Sequence, residues 1–327
     1  MLPVYVPNYY ESFRCIASAC RHSCCIGWEI DVDRESLERF DRVGGALGAR
    51  LRESIDREAD PPCYILDGEE RCPFLNRNGL CDLITALGED SLCHICADHP
   101  RFRQVQPDRV ELGLGLCCEA AAELILGQTE PFSIVPLPSA MAERERTARA
   151  DAEEADPLTI ALRNAREALF DVLQDRRIPL SHRIRHVLTS LDIHLPVSNY
   201  GEWSEFLLDL ERLDPAWDWY LQRMGTLEQD PAEELDGEDS TAYEQLLVYF
   251  LYRYLTAEDD GRRDLLQVRV AFAILSVILI HGLTRAAGGE GFETLCEVAR
   301  MYSSEIEYSE ENLERFLDRI EDTLCEF

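Results

Sequence analysis

Thirteen cysteines stand in this chain of 327 residues, and eleven of them fall between Cys15 and Cys118. They are grouped: Cys15, Cys20, Cys24 and Cys25; Cys72 and Cys81; Cys93 and Cys96; Cys117 and Cys118, with Cys63 alone between the first two groups. The first residues, Met1-Leu2-Pro3-Val4-Tyr5-Val6-Pro7, have neither a basic start nor a long apolar run, so no secretory signal is read there. A cytoplasmic, reducing location is therefore expected, and dense cysteine in such a compartment points to metal or to catalysis rather than to disulfides. Cys296 and Cys325 sit in helical patterns and read as packed or incidental thiols.

Spacing narrows the metal chemistry. A zinc ribbon takes four thiolates, commonly as two C-x-x-C hooks, and only Cys93-x-x-Cys96 is such a hook here. Cys20-x-x-x-Cys24 begins like a radical S-adenosylmethionine motif, but Gly27 occupies the place of its third cysteine. An iron–sulfur cluster accepts more variable spacing, tolerates adjacent cysteines such as Cys24-Cys25, and often has a proline after a ligand, as in Cys72-Pro73. The pattern favours iron–sulfur and leaves zinc as the alternative. A metal that only staples an irregular module short of core is the plain reading of the same cysteines.

The elements that would position these residues read as mainly α: an irregular cysteine-rich metal-cluster module over 1–130, a linker over 131–156, and a helical domain over 157–327. Asp33 is a candidate N-cap for a helix over roughly 34–56, and Asp156-Pro157 opens another with a cap and a proline at the first helical position. Thr241-x-x-Glu244 has the form of a capping box for a helix bearing Leu247, Phe250, Leu251 and Tyr254. Residues 109–114 alternate like a short strand and run into Cys117-Cys118 and a helix-forming stretch beyond them. There a helix N-terminus would favour thiolates. Leu112-Gly113-Leu114-Gly115 lacks the βαβ alternation of a dinucleotide fold, so no residue marks where a nucleotide-bearing cofactor would bind. Residues 226–240 hold seven acidic residues and no basic one, a solvated loop. The apolar run Val270–Leu283, flanked by Arg269 and Arg285, is too short to span a bilayer and predicts a buried helix.

The net charge of −31 and pI near 4.5 repel phosphate backbones, so no nucleic-acid partner is expected, and with the one apolar run too short to span a bilayer no membrane is expected either. A cationic or lysine-bearing partner is compatible with that field. All 32 basic residues are arginine; lysine is absent.

Dispersed motifs carry a resemblance. They are Pro7-x-Tyr9-Tyr10-x-x-Phe13-x-Cys15, Cys20-x-x-x-Cys24-Cys25-x-Gly27-Trp28, Cys72-Pro73-Phe74-Leu75 to Gly79-Leu80-Cys81, and Cys96-x-x-x-Pro100-Arg101. Next come Cys117-x-Glu119-Ala120-Ala121, then Tyr243-Glu244-x-Leu246-Leu247-x-Tyr249-Phe250 with Arg253-Tyr254, then Ser304-Glu305-Ile306-Glu307 and Ser309-Glu310-Glu311-Asn312. Over nearly its whole length the sequence resembles the flagellin lysine-N-methylase family, which overlaps the zinc- or iron-chelating cysteine-cluster proteins.

The resemblance implies methyl transfer from S-adenosylmethionine to lysine side chains of flagellin in the cytoplasm, with an iron–sulfur cluster, [4Fe–4S] in type, on the shared cysteines. It carries over Cys15, Cys20, Cys24, Cys25, Cys72, Cys81, Cys96 and Cys117 as ligand candidates, more than one cluster uses. Methyl transfer to an amine needs a neutral nitrogen in line with the sulfonium methyl, so hydroxyls and carboxylates that orient an amine are sought. Tyr9, Tyr10, Tyr243, Glu244 and Tyr254 are candidates through the motifs, and Arg101 could pair with a carboxylate. His94 and His99 flank Cys96 as possible bases or ligands. A metal-stapled binding module and a redox-sensing protein stay open beside the enzyme.

Overall fold

The computed structural model describes residues 2–138, 154–195, 200–227, 233–256, 265–288 and 291–325. The chain forms two compact units. One comprises Met1–Phe13, Arg103–Cys117 and Ala121–Phe327, the other Arg14–Phe102 and Cys118–Ala120.

The smaller unit contains helices α1 (Arg34–Asp41) and α2 (Gly45–Glu53), the short strand pair β2 (Ile55–Asp56) and β3 (Cys63–Tyr64), and the short helices α3 (Asp82–Leu87) and α4 (His94–Asp98). The single helix expected over 34–56 is thus two, because the chain turns at Arg42-Val43-Gly44. Asp33 does cap α1, accepting the Ser36 backbone N–H at 2.9 Å, and its other carboxylate oxygen accepts the His94 N–H at 2.9 Å. One carboxylate therefore closes two helix starts, a role that satisfies otherwise orphaned donors. Ile30, Val32, Phe40, Leu51, Ile55, Tyr64, Phe74 and Leu83 form the core, and Cys72 and Cys93 are buried among them.

The larger unit carries β1 (Val4–Pro7), β5 (Val110–Leu114) and β6 (Ile134–Pro136) of a four-stranded sheet in the order β4-β5-β1-β6, where β4 is Arg101–Val105. The chain runs parallel in β1 and β5 and antiparallel in β1 and β6. Every residue of β5 is buried, as expected of a strand covered on both faces. The alternation at 109–114 indicated this strand, but the sheet around it is more extensive than the sequence pattern suggested. Glu111, wholly buried in it, pairs with Arg166 at 2.8 Å.

Helix α5 (Glu119–Leu126) follows β5, and after it come α6 (Pro157–Leu173), α7 (Leu180–Ser190), α8 (Tyr200–Leu208), α9 (Trp217–Met224), α10 (Ser240–Tyr254), α11 (Leu265–Ala287), α12 (Phe292–Tyr302) and α13 (Glu310–Cys325). Mainly α is therefore right for the described residues. Asp156 caps α6 through the Leu158 and Thr159 N–H groups, with Pro157 at the first position. Most of the expected linker, 139–153, and residues 228–232 of the acidic loop lie outside the described residues.

Helix α11 is the axis of the helical part, packed by α9, α10, α12 and α13. The apolar run at 270–283 lies inside it. At 23 residues the whole helix is long and apolar enough to cross a membrane, yet 83% of its apolar window is buried within the fold, as in a core helix. Gly282 lets Tyr200 approach this helix: a Cβ there would stand 2.4 Å from the tyrosine ring. Helix α12 runs into a π-turn, Ser303–Glu307, closed by the Tyr308 N–H donating to the Ser303 carbonyl at 3.2 Å. Such turns widen a helix and are frequent at functional sites.

Candidate metal centre and a buried polar network

Cys25, Cys72, Cys81, Cys93 and Cys96 of the smaller unit come together around Tyr64. Cys24 and Cys72 both hydrogen-bond Cys25, so Cys25 is drawn toward the thiolate while Cys24 and Cys72 are pushed up as the donors that keep their protons. Cys96 stands in the same relation to Cys93. Tyr64 is 3% exposed, and burial pushes its ionisation up first, followed by the charges of Cys93, Cys96, Cys72 and Cys81. Its hydroxyl is buried and has no hydrogen-bond partner among the described residues. His99, with its pKa lowered mainly by burial, faces Cys25.

These cysteines are positioned by local geometry that the sequence encodes. The Cys72 N–H donates to the Cys25 carbonyl at 2.8 Å, tying two of the cysteine groups together. Cys81 precedes α3 and Cys93 precedes α4, each as the residue before the first helical turn. The Arg50 guanidinium anchors the start of α3 through Asp82 at 2.6 Å.

A second thiol neighbourhood lies at the start of α5. Cys20 donates to the Glu119 carboxylate at 3.6 Å, and Arg21 holds the same carboxylate through its backbone N–H and its Nε, both at 2.8 Å. Cys118 is close to Cys20 and to Cys24, and Cys15 is close to Cys24. Cys63 faces Glu29 instead.

The eight ligand candidates therefore divide. Cys25, Cys72, Cys81 and Cys96 share one neighbourhood, which also brings in Cys93, outside the resemblance. Cys15 and Cys20 lie in the other, Cys24 touches both through its hydrogen bond to Cys25 and its closeness to Cys15 and Cys118, and Cys117 belongs to the larger unit. No three His, Cys, Asp or Glu side chains among the described residues are already closed on one metal position. The fit to a thiolate-held group rests instead on the donor set and on the buried Tyr64 hydroxyl, which sulfur acceptors in its midst would satisfy.

The proposed catalytic side chains each have partners of their own. Tyr9 and Tyr10 follow β1 and are buried, Tyr9 against Phe132 at 6.3 Å. Tyr243 lies edge-on to His281 at 5.3 Å. Glu244 does not close a capping box: it accepts from Arg176 at 3.0 Å and from Arg183 at 2.6 Å, and α10 begins one residue before Thr241 with Asp239 as its cap residue. Arg101 belongs to the smaller unit and the other four to the larger. His94 is exposed beside Asp33 and Glu35.

A different set of motif residues does converge, in the larger unit. The Glu307 Oε2 accepts from the Tyr249 hydroxyl at 2.8 Å and the Tyr254 hydroxyl at 3.0 Å, and pairs with Arg253 at 3.1 Å. Arg253 also donates to the Tyr249 oxygen at 2.7 Å and lies 4.9 Å from the Tyr308 ring centre. Gly115 borders this network: a Cβ would stand 2.1 Å from the Tyr308 hydroxyl, so the glycine makes room for a tyrosine of the same chain. Tyr308 also hydrogen-bonds Cys117. Of this network the sequence singled out only Tyr254; Tyr249, Arg253 and Glu307 were visible as motif positions with no role attached.

Residues 197–326 match the family described as FliB lysine N-methylase C-terminal domain. The chain is 27% identical over 152 residues to the lysine-N-methylase of Salmonella choleraesuis and 28% identical over 159 residues to that of Salmonella typhimurium, in each case 45% of this chain and 36% of the relative. It is 25% identical over 143 residues to the flagellar biosynthetic protein FliU of Salmonella muenchen, 41% of this chain and 82% of the relative. No solved structure matches the chain. The resemblance read from the motifs is thus borne out, while the match spans little more than a third of the two lysine-N-methylases.

Proposed function

We infer that this chain, which over residues 197–326 matches the FliB lysine N-methylase C-terminal domain, methylates lysine side chains of flagellin using S-adenosylmethionine. What carries the reading is that similarity, joined by the relatives' names. The sulfonium of S-adenosylmethionine would supply an electrophilic methyl group, and the chain's task is to present a neutral, desolvated and oriented lysine nitrogen.

We further propose that Cys25, Cys72, Cys81, Cys93 and Cys96 offer the ligands of an iron–sulfur cluster, four of them sufficing. Zinc held by four of the same thiolates is the alternative. When bound, such a cluster would fix the loops that carry these cysteines and add a polarisable charge among them. Tyr64 would donate a hydrogen bond to it, Asp33 would hold the start of the Cys93–Cys96 hook, and Phe74 and Leu83 would keep water from the inner face.

Incubation of anaerobically purified protein with flagellin and methyl-labelled S-adenosylmethionine tests the activity. Label is expected on flagellin lysines. Unlabelled flagellin with the metal content intact would overturn the enzymatic reading in favour of a metal-binding module. Iron, acid-labile sulfide and zinc measured on the same sample decide between cluster and ion.

A further inference from the structure

The π-turn Ser303–Glu307 holds three buried oxygen atoms that have no hydrogen-bond partner among the described residues: Ser303 Oγ, Ser304 Oγ and Glu307 Oε1. A folded chain rarely leaves so many polar atoms of one turn unpaired, since each forfeits its hydration on burial. The Glu307 side chain is fully buried, and its other oxygen already takes Tyr249, Tyr254 and Arg253. The carboxylate is thus locked in orientation with one face unused.

Charge decides what that face can accept. Glu307 is compensated by Arg253 at 3.1 Å, with both side chains almost entirely out of water. A second cation placed there would leave a net positive charge in a poorly screened interior, which is costly. A neutral N–H donor carries no such penalty and satisfies Oε1. Tyr254 and Ser304 keep 8% and 9% of their surface exposed, the least enclosed of these residues besides Arg253.

We propose that the Ser303–Glu307 turn, with Tyr249, Tyr254 and Arg253, is a binding site for a primary alkyl amine in its neutral form, the side-chain nitrogen of the substrate lysine. Glu307 Oε1 accepts one N–H and a seryl hydroxyl of the turn accepts the other. The nitrogen lone pair is left unengaged, which is the state a methyl acceptor must have. The assignment rests on the chain being a lysine methylase, and it adds where the amine goes.

The serines give the cleanest test. If they are only structural, replacing an unpartnered buried hydroxyl by hydrogen leaves folding unchanged or slightly improved and function untouched. The S303A/S304A double variant and Glu307→Gln, each made in the whole chain and purified anaerobically, are compared with the wild type in three measurements: thermal midpoint, calorimetric binding of n-butylamine, and kcat and KM on flagellin. For the double variant we expect an unchanged or raised midpoint with amine binding and kcat/KM each down at least about tenfold. Wild-type amine affinity in the double variant would overturn the site, whatever the catalytic result. A wild type that binds n-butylamine through these residues but never labels flagellin would sink the methylase reading and leave the amine site standing. Should Glu307→Gln unfold, the serine variant decides alone.

Discussion

At the residue scale, the Tyr64 hydroxyl is the most informative atom of the cysteine unit. It is buried, has no hydrogen-bond partner among the described residues, and is surrounded by Cys72, Cys81, Cys93 and Cys96. In a purely packed site, Tyr64→Phe would remove an unpaired polar atom and cost nothing. If sulfur ligands accept its proton, the same variant should keep its fold and metal content while shifting the visible spectrum and, for a cluster, the reduction potential. An unchanged spectrum and potential would show that the hydroxyl touches no cluster. A second residue-scale expectation concerns His281, 6% exposed between the Tyr200 hydroxyl at 3.4 Å and the Tyr243 ring, with Arg285 on its own helix. Burial, with Arg285 adding to it, lowers its pKa from 6.5 to about 4. The unfolded chain therefore binds a proton near pH 6.5 that the folded chain takes only near pH 4, so stability falls as pH drops through that window and is flat above it. The loss is about 3 kcal/mol at most. Denaturant titrations from pH 7 to 4.5 should show this slope, and His281→Gln should flatten it; a variant as pH-sensitive as the wild type would place the effect elsewhere.

At the scale of elements, Asp33 links two helix starts, and through α4 it holds the Cys93–Cys96 hook. Asp33→Ala should lower stability by about 1–2 kcal/mol, the usual cost of a lost cap. Because His94 N–H is released as well, metal retention under mild chelation should weaken in the same variant. A loss of stability with wild-type retention would separate the cap of α1 from the metal module. The caps at Asp33 and Asp156 were legible because an N-cap depends on one side chain and the next three backbone donors. Thr241-x-x-Glu244 misled for the opposite reason: the pattern is local, but Glu244 is claimed by Arg176, in the turn between α6 and α7, and by Arg183 of α7, and two guanidinium groups outcompete a backbone N–H. The sheet was legible only at 109–114. Its parallel neighbour β1 lies more than a hundred residues earlier, and no periodicity in a four-residue strand announces such a pairing. The cysteine groups were plain in the sequence, but their sorting was not, since Cys25 joins Cys72 through a backbone bridge and Cys24 hydrogen-bonds Cys25 while lying near Cys15 and Cys118 as well.

At the scale of the whole molecule, the charge of −31 without a single lysine acquires a specific meaning beside the proposed lysine-methylating function. Compositional bias toward arginine is the plain account. An enzyme that methylates exposed lysines would also gain from presenting none, because its own surface is always the nearest substrate and no encounter is needed. Restoring lysine separates the two accounts. Arg34 and Arg177 expose 92% and 89% of their side chains and pair with Glu38 and Asp175. Exposed pairs of this kind contribute little, and lysine keeps the charge, so Arg34→Lys and Arg177→Lys should fold as the wild type does. Incubated with S-adenosylmethionine and flagellin in one vessel, the double variant should gain methyl-sized mass increments on both new lysines, at a rate independent of enzyme concentration if each chain modifies itself. Fully methylated flagellin beside unmodified Lys at both positions would leave the composition to genome bias, and would show in addition that the enzyme selects its lysines by more than exposure.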